Sequence, residues 1–122
     1  MHGHNWKVEV EITGEKLDKI GMVVDFKEIR KRLGSVDLAA IPIGAYEPRW
    51  IMEVSHMNPE EAVMSFLDLE ASKAIGMSWG TFILTDEPVR EPPQRLIEVV
   101  SKYNISQDRF FTLKHGETYL DN

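Results

Sequence analysis

Hydrophobic and polar residues alternate strictly over residues 2–13, and this period of two predicts a half-buried β-strand. Residues 13–21 are typical of a turn that ends the strand. One face of the strand would carry apolar and imidazole side chains, namely His2, His4, Trp6, Val8, Val10 and Ile12. Polar residues occupy the other face, so we expect only one side of this strand to be buried.

Two segments carry helix signals. Residues 25–34 have an apolar stripe at helical spacing, a capping-box pattern at the start and a glycine at the end. Residues 58–76 begin with Asn58 as a cap and Pro59 at the first helical position, and Gly76 provides a stop. We therefore predict a short helix followed by a longer one.

Strands and one further helix account for the remaining pattern. Residues 36–46 are mostly apolar and bounded by Pro and Gly, as expected of a buried strand, and residues 77–84 and 109–117 are also predicted strands. After a proline-rich loop at 85–93, a helix runs through Tyr103. From residue 36 the order is strand, helix, strand, helix, strand, which predicts an α/β fold with crossover helices.

Composition narrows the class of protein and of partner. The 122 residues suffice for one domain, and a net charge of −6 argues against nucleic acid as the main partner. No apolar run approaches the length of a transmembrane segment and no signal-peptide pattern opens the chain, so a cytoplasmic location is expected. With no cysteines, disulfides, thiolate ligands and cysteine nucleophiles are excluded from this sequence.

The two N-terminal histidines form the best metal-ligand pair in the sequence. His2 and His4 project to the same face of the predicted strand, but a zinc enzyme needs about three protein ligands. His115 would become a third ligand if the last strand ran beside the first. The alternative is that both histidines are solvated at a strand end.

Residues 2–34 resemble the 6-pyruvoyl- and 6-carboxytetrahydropterin synthases. The motif "HGHN" at 2–5, the strand after it and "GMVVDFKEI" at 21–29 carry the resemblance. It implies a strand and helix that assemble into barrels across subunits, with His2 and His4 bound to a catalytic zinc. The family's third histidine is expected upstream of "HGH", and its catalytic cysteine has no counterpart in this cysteine-free chain.

Residues 37–122 resemble a different group, the metallo-β-lactamase-fold hydrolases close to N-acyl-phosphatidylethanolamine phospholipase D. The matching motifs, in order, are "DLAAIPIGAYEPRW" (37–50), "HMNPEEAV" (56–63), "WGTFILTDEP" (79–88), "EPP" (91–93) and "LKHGE" (113–117). The resemblance implies hydrolysis of a phosphodiester by water activated on a two-metal site. The family's HxHxDH motif is absent, and the ligand expected before "WGTF" is Ser78.

The hydrolase resemblance also supplies candidate site residues. It makes His56 a candidate acid, base or substrate contact, although a histidine before a capped helix is often structural. Four large side chains that would border the site are candidate substrate-binding residues or packing residues: Tyr46, Arg49, Trp50 and Trp79. Asp86 and Glu87 are interpreted as solvated turn residues rather than a pair of catalytic carboxylates.

Since the helix at 25–34 fits both patterns, we interpret the chain as a chimera joined through it, with segments 1–34 and 35–122. The predicted fold is α/β, a partial metallo-β-lactamase-like αβ sandwich preceded by a pterin-synthase-like strand and helix. The expected function is hydrolysis of a small-molecule or lipid phosphodiester, with zinc as cofactor and an incomplete metal site. The alternatives are a pterin-synthase-like zinc protein and a non-catalytic domain. Unpaired edges of the lone N-terminal strand make a homo-oligomer a further hypothesis.

Overall fold

The computed structural model describes residues 26–120. The predicted strand at 2–13, the turn at 13–21 and the ligand pair His2 and His4 lie outside these residues. The elements, in chain order, are α1 (Phe26–Leu33), β1 (Leu38–Pro42), α2 (Arg49–Met52), α3 (Pro59–Leu69), β2 (Lys73–Met77), α4 (Glu91–Lys102) and β3 (Phe110–Thr112).

The three strands form a parallel sheet in the order β1-β2-β3, with Ala39 beside Ala74 and Ala74 beside Phe110. Helices α3 and α4 connect successive strands, and they contact each other on one face of the sheet. Because parallel neighbours need a crossover, this order is the one that alternating strand and helix patterns favour. The prediction of a mixed α/β fold is confirmed.

The core lies between the sheet and the two crossover helices. The ring of Phe66 on α3 lies 5.3 Å from that of Phe110, and both side chains are buried. Strand β1 contributes Ala39 and Ile41 to this core, whereas Leu38 on the same strand is 40% exposed. The prediction of a fully buried first strand was therefore wrong, because the described helices cover only one face of the sheet.

The start of α3 agrees with the sequence prediction. The Asn58 side chain accepts a hydrogen bond from the Glu61 amide (2.8 Å), and the Glu61 carboxylate accepts one from the Asn58 amide (2.9 Å). Pro59 occupies the first turn, where its missing N–H costs nothing. This reciprocal capping fixes where the helix begins.

The predicted end of that helix, at Gly76, was wrong. Helix α3 ends at Leu69, Glu70 takes a left-handed conformation (φ 50°), and residues 73–77 form β2. A Cβ at Gly76 would lie 2.9 Å from Ile43 Cδ1 and 3.1 Å from Thr112 Cγ2. The glycine therefore permits close packing within the sheet rather than stopping a helix.

Two other strand predictions also change in extent. Residues 79–84 follow β2 as an irregular segment, since β2 has strand partners only up to Met77. The last strand covers Phe110–Thr112 rather than 109–117, and β3 pairs with β2 over those three residues. The described end of the chain then returns to the sheet, where Tyr119 packs on Phe111 at 5.2 Å between ring centres.

Helix α1, where the two sequence resemblances meet, packs on α3. Phe26 and Ile29 contact the core, and Gly34 (φ 82°) ends the helix with its amide bonded to the Arg30 carbonyl (3.0 Å). Lys27 forms an ion pair with Asp68 at 3.5 Å. None of the helices within residues 26–120 has both the length and the apolar character needed to cross a membrane.

Candidate functional site

A cavity of about 380 Å³ lies beyond the carboxyl ends of β1 and β2. Gly44 and Ala45 from the loop after β1 line it, as do Ser78 and Trp79 from the segment after β2. Ligands of open α/β sheets bind at this edge, where loops from neighbouring parallel strands converge. The position of the cavity identifies it as the candidate site.

The backbone at the base of this cavity is tightly packed. A Cβ at Gly44 would lie 2.3 Å from the Ser78 carbonyl oxygen, so only glycine fits there. Ala45 and Ser78 both adopt left-handed conformations, with φ of 62° and 57°. Such a conformation costs a non-glycine residue about 1–2 kcal/mol, and residues of this kind cluster at functional sites.

Glu87 holds the strained loop in place. Its carboxylate accepts hydrogen bonds from the backbone amides of Ala45 (2.7 Å), Tyr46 (3.3 Å) and Glu47 (3.0 Å), and from the Thr85 hydroxyl (2.8 Å). Burial alone would raise the pKa of Glu87, but the hydrogen bonds from Thr85 and the backbone outweigh it and hold the pKa below its usual value.

The sequence interpretation of Glu87 as a solvated turn residue was therefore wrong, whereas its neighbour Asp86 is exposed as expected. No local sequence signal identifies this role of Glu87. The amides that it binds lie about 40 residues earlier in the chain, and backbone amides carry no mark of residue type.

His56, the predicted catalytic residue, lines the cavity and is exposed. Its backbone is fixed on both sides: the amide donates to the Met52 carbonyl (2.8 Å), and the carbonyl accepts from the Arg49 guanidinium (3.1 Å). The imidazole is thus presented to a ligand in the cavity, and the assignment of His56 to catalysis remains a prediction.

Tyr46, a predicted substrate-binding residue, lies in the core and does not line the cavity. Its side chain is fully buried and its hydroxyl donates to Glu91 Oε1 at 2.6 Å. The Arg95 guanidinium lies 5.1 Å from the centre of its ring. Burial and then the bond to Glu91 raise the pKa of Tyr46 well above its usual value. These contacts give Tyr46 a structural environment.

The other predicted substrate-binding residues fall in three different settings. Arg49 forms an ion pair with Glu61 at 2.6 Å, and Trp50 is 79% exposed and lies outside the cavity lining. Trp79 lines the cavity, donates from Nε1 to the Gly76 carbonyl (3.2 Å) and packs edge-on against His115 (5.2 Å between ring centres). Only Trp79 of the four predicted residues meets His56 at the cavity.

The described residues do not fit a metal centre. Between Phe26 and Leu120, no three histidine, aspartate or glutamate side chains lie close enough together to hold a metal ion. Ser78 offers a neutral hydroxyl at the position where the hydrolase resemblance implies a ligand, and a hydroxyl is a poor zinc ligand. The predicted zinc ligands His2 and His4 lie outside this part of the chain.

Comparison with known proteins gives different relatives for the two parts of the chain. The model of the 6-pyruvoyl tetrahydropterin synthase family matches residues 1–39. A protein of Archaeoglobus fulgidus, assigned by name to 6-carboxy-5,6,7,8-tetrahydropterin synthase, is 50% identical over 36 residues, which are 30% of each chain.

The longer matches are to phospholipases. N-acyl-phosphatidylethanolamine-hydrolyzing phospholipase D 1 of Caenorhabditis elegans is 44% identical over 98 residues, covering 79% of this chain and 28% of the relative. The mitochondrial N-acyl-phosphatidylethanolamine-hydrolyzing phospholipase D of Saccharomyces cerevisiae is 37% identical over 100 residues, covering 80% and 21%. The chain thus spans about a quarter of the length of these two relatives.

The resemblance of the chain is therefore chimeric, with pterin synthases at its N-terminal part and phospholipase D relatives over most of its length. A 39-residue match and one that covers 79% of 122 residues cannot both fit without overlapping. The overlap falls within residues 1–39, the part of the chain that contains α1.

Proposed function

We propose that the chain is a hydrolase-like protein of the metallo-β-lactamase superfamily whose cavity binds a small-molecule or lipid phosphodiester. The sheet and its covering helices would correspond to part of a metallo-β-lactamase-like αβ sandwich, with segments 1–34 and 35–122 of different origin. The 44% identity to the nematode phospholipase supports this proposal most strongly. The position of the cavity at the carboxyl ends of the strands agrees with it.

The chemistry of the lining indicates which part of a substrate the cavity would hold. Its walls are mainly apolar, including Trp79, Val89 and Pro92, and no lysine or arginine from the described residues lines it. We therefore assign the cavity to the uncharged portion of a phosphodiester, with His56 placed to exchange a proton or donate a hydrogen bond. Because the described residues do not fit a metal, we derive no step through zinc.

Substitution Ser78→His tests this proposal directly. Histidine tolerates the left-handed backbone better than most residues, and it would add an imidazole to the cavity that His56 already lines. We expect at least a tenfold gain in zinc affinity, and at least a tenfold gain in turnover of bis(4-nitrophenyl) phosphate with zinc present. Competition with a chromogenic chelator and the release of nitrophenolate measure the two quantities.

The matched control is Ser72→His, which adds the same imidazole at an exposed serine next to β2. It should change neither zinc affinity nor turnover. If Ser78→His also leaves both unchanged, the assignment of position 78 to a hydrolase metal site is wrong.

The second candidate function is that of a pterin-synthase-like zinc protein, favoured by the family match over residues 1–39. His2 and His4 would supply the zinc ligands, and two imidazoles alone would bind zinc weakly. We expect up to one zinc per chain by atomic emission, lost in His2→Ala and in His4→Ala but retained in Asn5→Ala. A parent chain without zinc would remove this candidate and leave the non-catalytic domain for the N-terminal part.

A further inference from the structure

Six large apolar side chains are exposed near the cavity on two short segments of the chain. We call them the apolar rim, and with their exposed fractions they are Trp50 (79%), Ile51 (47%), Val54 (81%), Phe82 (73%), Ile83 (83%) and Leu84 (74%). A folded protein scatters single apolar residues over its surface, but three consecutive exposed ones beside another such group require an explanation.

Both segments of the apolar rim border the same cavity. Residues 82–84 line it directly. Helix α2 and the turn after it reach the cavity through His56, whose amide is bonded to the Met52 carbonyl (2.8 Å). A hydrogen bond from the Asp86 amide to the Glu47 carbonyl (3.2 Å) also ties the two segments together. The rim therefore surrounds the entrance through which a ligand would arrive.

Polar contacts, rather than the rim side chains, hold these segments in place. Glu87 binds the amides that precede α2, and Arg49 at the start of α2 is paired with Glu61 on α3. None of the six rim side chains belongs to the hydrophobic core. Their exposure is thus independent of what keeps this part of the chain folded.

The area of the rim favours a bilayer over a second copy of the chain. At about 150 Å² for a large apolar side chain, the exposed parts of the six amount to roughly 600 Å². A stable protein interface needs about 800 Å² from each partner. Insertion of a few aromatic and aliphatic side chains into the headgroup region has no such threshold, and Trp is enriched at membrane interfaces.

The charge of the rim points to the kind of lipid. Glu53 and Asp86 are exposed at its edges, and the cation of α2, Arg49, is already paired with Glu61. The chain also has a net charge of −6, so an anionic surface would repel it. We infer that the apolar rim docks the protein on a zwitterionic phospholipid bilayer, with the cavity facing the lipid. This inference rests on the proposed function, because it supplies the surface on which a lipid phosphodiester would be met.

The test uses the full chain and vesicles of ether-linked phosphatidylcholine, with chelator present, so that neither metal nor turnover is required. We expect the parent to sediment with the vesicles, and Trp50→Asp and Ile83→Asp each to weaken binding at least tenfold. The control Ile97→Asp replaces a residue of α4 that is 50% exposed outside the rim, and it should bind like the parent. Circular dichroism and thermal unfolding verify that each variant is folded.

A second measurement avoids charged substitutions. Vesicles should shift the tryptophan emission of the parent to shorter wavelength, and Trp50→Phe should lose most of this shift while still sedimenting. Retention in 0.5 M NaCl supports apolar insertion, whereas release by salt overturns it. Absence of vesicle binding overturns the inference as well, and so does a dimer that Ile83→Asp converts to monomer. Failure of the phosphodiester assay alone would instead count against the proposed function, since that substrate is soluble.

Discussion

Replacement of Glu87 by alanine is expected to lower the free energy of unfolding by about 3 kcal/mol. The carboxylate accepts three backbone amides and one hydroxyl, so its loss leaves several donors partly buried without their acceptor. A hydrogen bond to a charged group contributes about 1.5–3 kcal/mol, and partial solvation of the site offsets some of the total. Urea unfolding followed by circular dichroism measures the change.

Asp86→Ala is the matched control for this experiment. It removes an adjacent carboxylate that is exposed, while the Asp86 backbone bond to Glu47 is kept. A change within about 0.5 kcal/mol is expected for such a surface position. An equal effect of the two alanine substitutions would contradict the role given to Glu87.

The pKa of Glu87 also predicts how stability depends on pH. Because the folded state holds the pKa below the usual value of 4.5, the unfolded chain binds a proton more readily than the folded chain. The stabilisation by Glu87 is therefore present above pH 4.5 and is lost as the pH falls through the lower, folded pKa. The difference in unfolding free energy between the parent and Glu87→Gln should shrink correspondingly in acid.

Tyr46→Ala should cost about 4 kcal/mol, the largest effect expected for a single side chain of the loop after β1. The change removes a fully buried ring and opens a cavity, for which aromatic-to-alanine substitutions typically lose 3–5 kcal/mol. Tyr46→Phe keeps the ring and loses only the bond to Glu91, so a loss of about 1.5–2 kcal/mol is expected. Thermal and urea unfolding give both values.

Function and stability separate at this residue. Since the Tyr46 hydroxyl bonds to Glu91 and its ring does not line the cavity, Tyr46→Phe should leave vesicle binding unchanged. Tyr103→Ala, at a tyrosine that is 41% exposed, serves as the stability control and should stay within about 0.5 kcal/mol of the parent. A loss of binding in a folded Tyr46→Phe would restore the prediction that Tyr46 contacts the substrate.

Local patterns predicted the order of the elements well and their boundaries less well. The start of α3 follows from Asn58, Pro59 and Glu61, which interact within a single turn. Its end does not, because Glu70 takes a left-handed conformation without being glycine, and the following strand contains small residues. Those residues are small because the strand packs closely between its neighbours, which is a property of the tertiary structure.

The candidate site was predictable only where a motif lies at the end of a strand. His56 and Trp79 were found in this way, and both line the cavity. The role of Glu87 and the burial of Tyr46 depend on contacts with residues about 40 positions away. Residues distant in sequence are brought together only by the fold, so no window along the chain contains that information.

Pro42, the last residue of β1, has a consequence for the behaviour of the protein at high concentration. Among the described strands β1 lies at the edge of the sheet, and the Ile43 amide next to Pro42 donates to Met77 of β2. Since successive amides of a strand point to opposite sides, the nitrogen of Pro42 faces the open edge, where it has no hydrogen to donate. A foreign strand that adds at this edge would lack one of its backbone bonds. The proline thereby limits runaway strand addition and so favours solubility without any cost to the pairing within the sheet.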